Sequence, residues 1–192
     1  MNGGRVYLMK THVCPWWFAY TFDNALRRFF HRPEEILGPY VRQGMTVMDV
    51  GCGMGFFSIG LARLVGDSGC VIAVDLQQRM LDLMEGRAEK AGVAGRIKTH
   101  RCDQDEIGVD GTVDLAVAFW MVHEVPDTEG FFSQILSTLQ PGAMLLVAEP
   151  KFHVSLGHFQ KILNSALRNG FDKRSDPRIR LSRSVLLDRG EA

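Results

Sequence analysis

From residue 45 onward the apolar positions alternate between two spacings. Met45–Val50 is a short run rich in β-branched residues and predicts a buried strand. Phe56–Val65 then carries apolar residues at helical spacing, and Cys70–Asp75 reads as a second strand. Gln77–Gly92 predicts a helix with Met80, Leu81, Leu83 and Met84 on or near its inner side. Thr128–Leu139 predicts a helix closed by Pro141-Gly142. Ser155–Asn169 is the next helix, stopped at Gly170-Phe171. Asp172–Arg180 and Ser182–Asp188 suggest two closing strands. Such alternation implies parallel strands with crossover helices, and the closing pair implies a hairpin whose last strand runs antiparallel.

Ahead of this pattern, residues 1–32 are unusually aromatic, with Trp16–Phe22 followed by Asn24–Phe30. Pro33–Gly38 predicts a short helix, since proline suits a first turn and Glu34 and Glu35 suit its positive end. Gly44 releases the chain into the first strand. The expected division is an aromatic, partly helical cap over 1–43 and a core over 44–192, together one compact domain.

The chemistry concentrates where the first strand ends, in Asp49-Val-Gly51-Cys-Gly53-Met-Gly55. Glycine allows positive φ and close approach of a ligand to backbone. The helix that follows offers free N–H groups at its first turn. A carboxylate, Asp75, ends the second strand, where it can accept both hydroxyls of a ribose. An adenosine cofactor fits this pair. A dinucleotide fingerprint would place a third glycine where Phe56 stands. Asp49 would repel a pyrophosphate but suit an ammonium group, so S-adenosylmethionine fits better than NAD.

On these residues the chain resembles the class I S-adenosylmethionine-dependent methyltransferases over roughly residues 33–190. Asp49–Gly55 is similar to their glycine-rich motif and Val71–Met80 to their ribose-binding strand. Ile97–Asp103, Val113–Trp120 and Leu139–Pro150 are similar to the next three strands, in register. The resemblance implies an α/β fold, a doubly wound Rossmann-like sheet of seven mostly parallel strands with an antiparallel C-terminal strand. It implies S-adenosylmethionine at Asp49, Gly51, Cys52, Gly53, Gly55, Asp75, Leu76 and Phe119, with Asp103 and Gln104 at the adenine. For Asp49 the alternative is an acid that pins the loop, and for Asp103 a cap on the residues after Cys102.

Composition narrows the partners. The 192 residues are 46% apolar, enough for a real core, and the formal net charge is zero. No global field draws nucleic acid or anionic lipid. The nearest basic stretch, Arg168–Arg183, is diluted by Asp172 and Asp176 and reads as a solvated surface. No apolar run approaches a membrane span, and residues 1–15 lack a signal-peptide pattern. Cys14, Cys52, Cys70 and Cys102 lack metal spacing and fit a reducing cytoplasm. The expected partner is a small molecule, not nucleic acid or membrane, with homo-oligomerisation left open. No metal is expected; the His12-x-Cys14 pair has no second pair to complete a site.

Methyl transfer from a sulfonium needs alignment more than acid–base help. A base is required only if the nucleophile carries a proton. The candidate is His123, in the stretch Phe119–Asp127 after the fourth strand. Its alternative is a packed histidine bonded to a backbone group, and Glu124 reads as a first-turn or surface acid. Trp16, Trp17, Tyr20, Trp120 and Phe152 are the expected acceptor walls, joined by Phe18 and Phe22; otherwise they are the cap's own core. Lys151 and His153 either orient an acidic substrate or are simply solvated. The competing classes are a non-catalytic cofactor-binding scaffold and an NAD-dependent oxidoreductase. The second is disfavoured by Phe56, by Asp49 and by the lack of a Tyr-x-x-x-Lys pair.

Overall fold

The computed structural model describes residues 27–190. In chain order the helices are α1 (Arg27–Phe30), α2 (Pro33–Leu37), α3 (Phe56–Val65), α4 (Gln78–Lys90), α5 (Thr128–Thr138) and α6 (Leu156–Arg168). The strands are β1 (Thr46–Val50), β2 (Cys70–Asp75), β3 (Ile97–Arg101), β4 (Val113–Phe119), β5 (Leu139–Pro150), β6 (Phe171–Ser175) and β7 (Ser182–Arg189). They form one sheet in the order β3-β2-β1-β4-β5-β7-β6. β7 runs antiparallel to both of its neighbours, β5 and β6, as the hairpin pattern predicts.

The strand pleat sorts the core into two layers. Val47, Val71, Ala73, Leu115, Val117 and Leu146 face α3 and α4 on one side. Met48, Val50, Val74, Ala116, Val147 and Val185 face α5 and α6 on the other. Successive side chains point to opposite sides of a strand, so β1 and β4 carry apolar residues on both faces because both faces are covered. Right-handed crossovers dictate which helix covers which face. Because β1→β2→β3 and β1→β4→β5 step in opposite directions from β1, the helices divide and a crevice opens between β1 and β4.

Several boundaries differ from the sequence reading. β3 ends at Arg101 and β4 at Phe119, because Trp120 turns into the left-handed region at φ 64°. Pro141-Gly142 does not close α5; it lies within β5, where the β4–β5 register shifts between Val113 and Leu115. Asp114, skipped by that shift, accepts from the Thr46 N–H (2.7 Å) and from the Gln140 side chain instead. β6 stops at Ser175 rather than near residue 180. Pro177 has no N–H to donate to a ladder, and its carbonyl accepts from Ser184 Oγ (2.5 Å) and Ile179 N (3.1 Å). The expected cap over 1–43 falls mostly outside the described residues, although Leu37 and Val41 are buried in the α3-side core.

Candidate functional site

The C-terminal ends of β1, β2 and β4 lie side by side, with Val50 paired to Val74 and to Ala118. The chain leaves β1 through Gly51 (φ 68°) and Gly53 (φ 54°), conformations that cost other residues steric strain. A Cβ on Gly53 would meet nothing within 4 Å, whereas one on Gly51 would sit 2.8 Å from Met121 Cγ. The loop therefore leaves a space above Gly53 and is braced by the β4 exit at Gly51.

Asp75 ties this loop to the tip of β2. Its Oδ2 accepts from the Gly53 N–H and its Oδ1 from the Gln77 N–H, each at 2.9 Å. Cys52 N–H donates to the Val74 carbonyl (2.9 Å). Burial raises the Asp75 carboxyl above its usual range, against the hydrogen bonds from Gln77, Gly53 and Leu76 that favour the charge. Asp49 is 2% exposed and accepts from Ser58 Oγ of α3 at 2.5 Å. Both acids act on Cys52: burial first, then the charges of Asp49 and Asp75, push its thiol well above the ordinary value. Cys102, at the end of β3, is pushed up to about 11 by burial and then by Asp75. The two carboxylates thus flank one glycine turn. Leu76 is half-buried beside it, and Asp103 and Gln104 are exposed just beyond β3.

An aromatic cluster lines the β4 side. The Phe119 ring, 6% exposed, lies 4.0 Å from that of Phe57. Trp120 holds its turn by donating N–H to the Ala148 carbonyl (2.7 Å) and Nε1–H to Ser182 Oγ (2.9 Å). His31, fully buried, packs edge-on against Phe119 (5.2 Å) and Trp120 (5.0 Å) and donates Nε2–H to the Arg180 carbonyl (2.7 Å). Phe152 is 62% exposed and meets Trp120 edge-on at 5.4 Å. Trp16, Trp17 and Tyr20, with Phe18, Phe22, His12 and Cys14, lie outside the described residues.

One turn beyond Trp120, Val122–Glu124 forms a single 3-10 turn. His123 does not bond a backbone group: its Nδ1 faces Glu149 Oε2 in a short contact. Glu149 is fully buried near the end of β5, and its Oε1 accepts from the Val122 N–H at 2.9 Å. Burial disfavours the His123 imidazolium, yet the Glu149 hydrogen bond and the charges of Glu149 and Glu124 raise its pKa above the ordinary 6.5. Sequence reasoning missed Glu149. Its signal was parity: Leu145, Val147 and Glu149 point to one side of a buried strand, and an acid there is an anomaly. His31 was missed too, hidden in an aromatic stretch. Lys151 and His153 are exposed. Among the described residues no group of three or more His, Cys, Asp or Glu could hold a metal ion. Among them no helix is long and apolar enough to cross a membrane.

A family model described as a methyltransferase domain matches residues 42–175, the span that holds the glycine turn, Asp75 and the His123 turn. The chain belongs to the methyltransferase domain family. This methyltransferase domain is 33% identical over 133 residues to the ubiquinone/menaquinone biosynthesis C-methyltransferase UbiE of Cellvibrio japonicus, covering 69% of this chain and 50% of the relative. The chain thus spans about half the length of the curated relatives it matches. A SAM-dependent methyltransferase of Aquifex aeolicus superposes with a TM-score of 0.83 at 21% identity, over 92% of this chain and 100% of that one. The cyclase SpnF shares the fold as well, with a TM-score of 0.65 at 20% identity over 77% of this chain and 60% of that one. The architecture therefore leaves the reaction to the site.

Proposed function

We propose that this methyltransferase domain binds S-adenosylmethionine over the glycine turn and transfers its methyl group to a small-molecule acceptor. The observation that carries this reading is the Asp75 carboxylate seated on the Gly53 amide beside an open space over Gly53. The donor set fits the cofactor. A carboxylate at a strand tip accepts ribose hydroxyls, and a glycine turn lets backbone approach a ligand closely. No bulky side chain projects from residue 53 into that space.

The cofactor supplies a methyl group already activated by positive sulfur, for in-line displacement on carbon. The chain's part is to bind, orient and exclude water. In this reading Asp75 and Leu76 hold the ribose, and Asp103 and Gln104 meet the adenine. Gly51, Cys52, Gly53 and Gly55 form the floor. Asp49, bonded to Ser58, fixes the loop and biases it toward an ammonium group. Phe119 backs the slot from the aromatic cluster. Trp120 and Phe152 form an edge-on aromatic wall for the acceptor. His123 is the candidate base. The apolar wall and the zero net charge favour a small, aromatic or apolar acceptor.

Isothermal titration tests the reading. S-adenosylmethionine and its demethylated product should both bind, NAD should not, and Asp75→Ala should abolish the binding. Binding of NAD alone would overturn it.

A further inference from the structure

We infer that Glu149 and His123 form a proton-accepting pair, and that the acceptor of this domain is therefore a phenolic or enolic hydroxyl rather than a thioether or tertiary amine. The inference rests on the methyl-transfer reading above and extends it to the acceptor's chemistry.

Glu149 is an anomaly in the sheet, an acid on a strand buried on both faces. A fully buried carboxylate is costly unless it is paired and hydrogen-bonded. Arg183 stands opposite Glu149 in the antiparallel register, but its guanidinium donates to the carbonyls of Lys151 (3.3 Å) and Val154 (2.9 Å). The partners Glu149 has are the Val122 N–H and the His123 ring. An ionised carboxylate only accepts, so the proton on His123 sits at Nδ1 and Nε2 is the atom that gains or loses one. A carboxylate behind an imidazole fixes its tautomer and stabilises the imidazolium that forms when Nε2 is protonated.

The other groups around the ring agree with this. Glu124 Oε1 lies 3.8 Å from Nε2, beyond hydrogen-bond reach but near enough to favour the cation. His153 stands edge-on at 4.9 Å and is exposed, so the ring has solvent at hand for release of a proton. Among the described residues, the titratable groups that the turn, β5 and the loop after β5 set against His123 are thus Glu149, Glu124 and His153. The turn that carries His123 joins the crevice: Met121, two residues before His123, covers Gly51 of the glycine turn.

A thioether or tertiary amine has no proton to lose, and a buried Glu–His pair would serve no step with either. With a hydroxyl acceptor the step balances. The O–H bond breaks and its proton goes to His123 Nε2. The electron pair of the resulting anion forms the bond to the methyl carbon as the carbon–sulfur bond breaks, its pair staying on sulfur. The imidazolium is neutralised by Glu149 and then loses its proton to water. His123 is the residue that takes the proton; Glu149 acts through it as a positioning residue.

Nitrogen-15 NMR of the imidazoles in the full chain tests the pair without any acceptor. His123 should populate the Nδ1–H tautomer, and Glu149→Gln, which can still accept from Val122, should lower its titration midpoint by about one pH unit, a tenfold change in proton affinity. An Nε2–H tautomer, or a midpoint unmoved in Glu149→Gln, would overturn the pairing. Turnover is then read as demethylated cofactor formed with hydroquinone, catechol and ascorbate, set against dimethyl sulfide and N,N-dimethylaniline. The hydroxyl probes should react, with kcat rising with pH in the wild type and falling about 100-fold or more in His123→Ala. Reaction of the aprotic probes, or of no hydroxyl probe, would overturn the acceptor assignment. Failure of the underlying reading looks different: S-adenosylmethionine would not bind, while the tautomer would stand.

Discussion

Alanine at Gly53 and at Gly51 should separate ligand binding from folding. Both glycines have left-handed backbones, φ 54° and 68°, so an alanine at either costs about 1–2 kcal/mol in the folded state. There the resemblance ends. An added Cβ at Gly53 meets nothing within 4 Å, so Gly53→Ala carries the conformational cost alone. At Gly51 it would lie 2.8 Å from Cγ and 2.9 Å from Cβ of Met121. The second atom is fixed to the backbone, so overpacking adds about 1–3 kcal/mol. For a chain of this size each kcal/mol lowers Tm by about 2–4 °C. Urea unfolding should therefore rank Gly51→Ala clearly below Gly53→Ala in stability. S-adenosylmethionine affinity, measured by titration calorimetry on folded protein, should nevertheless drop at least about tenfold in Gly53→Ala, since the methyl group fills the space assigned to the ligand. Wild-type affinity in Gly53→Ala, or equal stability losses in the two variants, would refute this reasoning.

The Asp75 carboxyl is raised by burial, against its backbone hydrogen bonds, so the folded chain holds that proton more readily than the unfolded chain does. Its contribution to stability is then greatest below the ordinary value of 3.8 and declines as pH rises through the folded value. Asp75→Asn lacks this decline, so its stability relative to wild type should rise as pH is raised from below the ordinary value of 3.8 in urea unfolding; a flat difference would count against it. Phe119→Ala should cost about 3–5 kcal/mol, because the ring is buried against Phe57, and a loss below about 1 kcal/mol would place the ring outside the core. Asp127 caps α5 by accepting from the Gly130 N–H, so Asp127→Ala should cost about 1 kcal/mol by thermal melting, and no loss would remove the cap.

The order of strands and helices was legible because the two hydrophobic spacings alternate cleanly and the helices carry strong signals at their ends. β1, β2 and α3 lie within one residue of the positions read from the sequence. Asp49, the glycines and Asp75 could be assembled in advance because one strand-turn-helix unit carries most of them. What stayed hidden depended on contacts distant in sequence. Glu149 meets His123 across 26 positions. The side chain of His31 reaches a carbonyl 149 positions away. Pro141-Gly142 is a turn signature that also fits a bulge, and only pairing with β4 decides between them. The hairpin pattern gave the antiparallel closing strand, while the order of strands in the sheet came from the resemblance, because local pattern leaves it undetermined.

The insertion of β7 between β5 and β6 has a consequence for the order of assembly. β6 pairs with β7 and with no other strand among the described residues, while β7 supplies the antiparallel edge of β5. A nascent chain emerging from the ribosome can build its first five strands as it is made, but Phe171–Ser175 must wait for Ser182–Arg189 before it can dock. Until then the β5 edge, with Leu145 and Val147, stays open to pairing with a stranger. The later strand of the hairpin is thus the one that seals the β5 edge against aggregation.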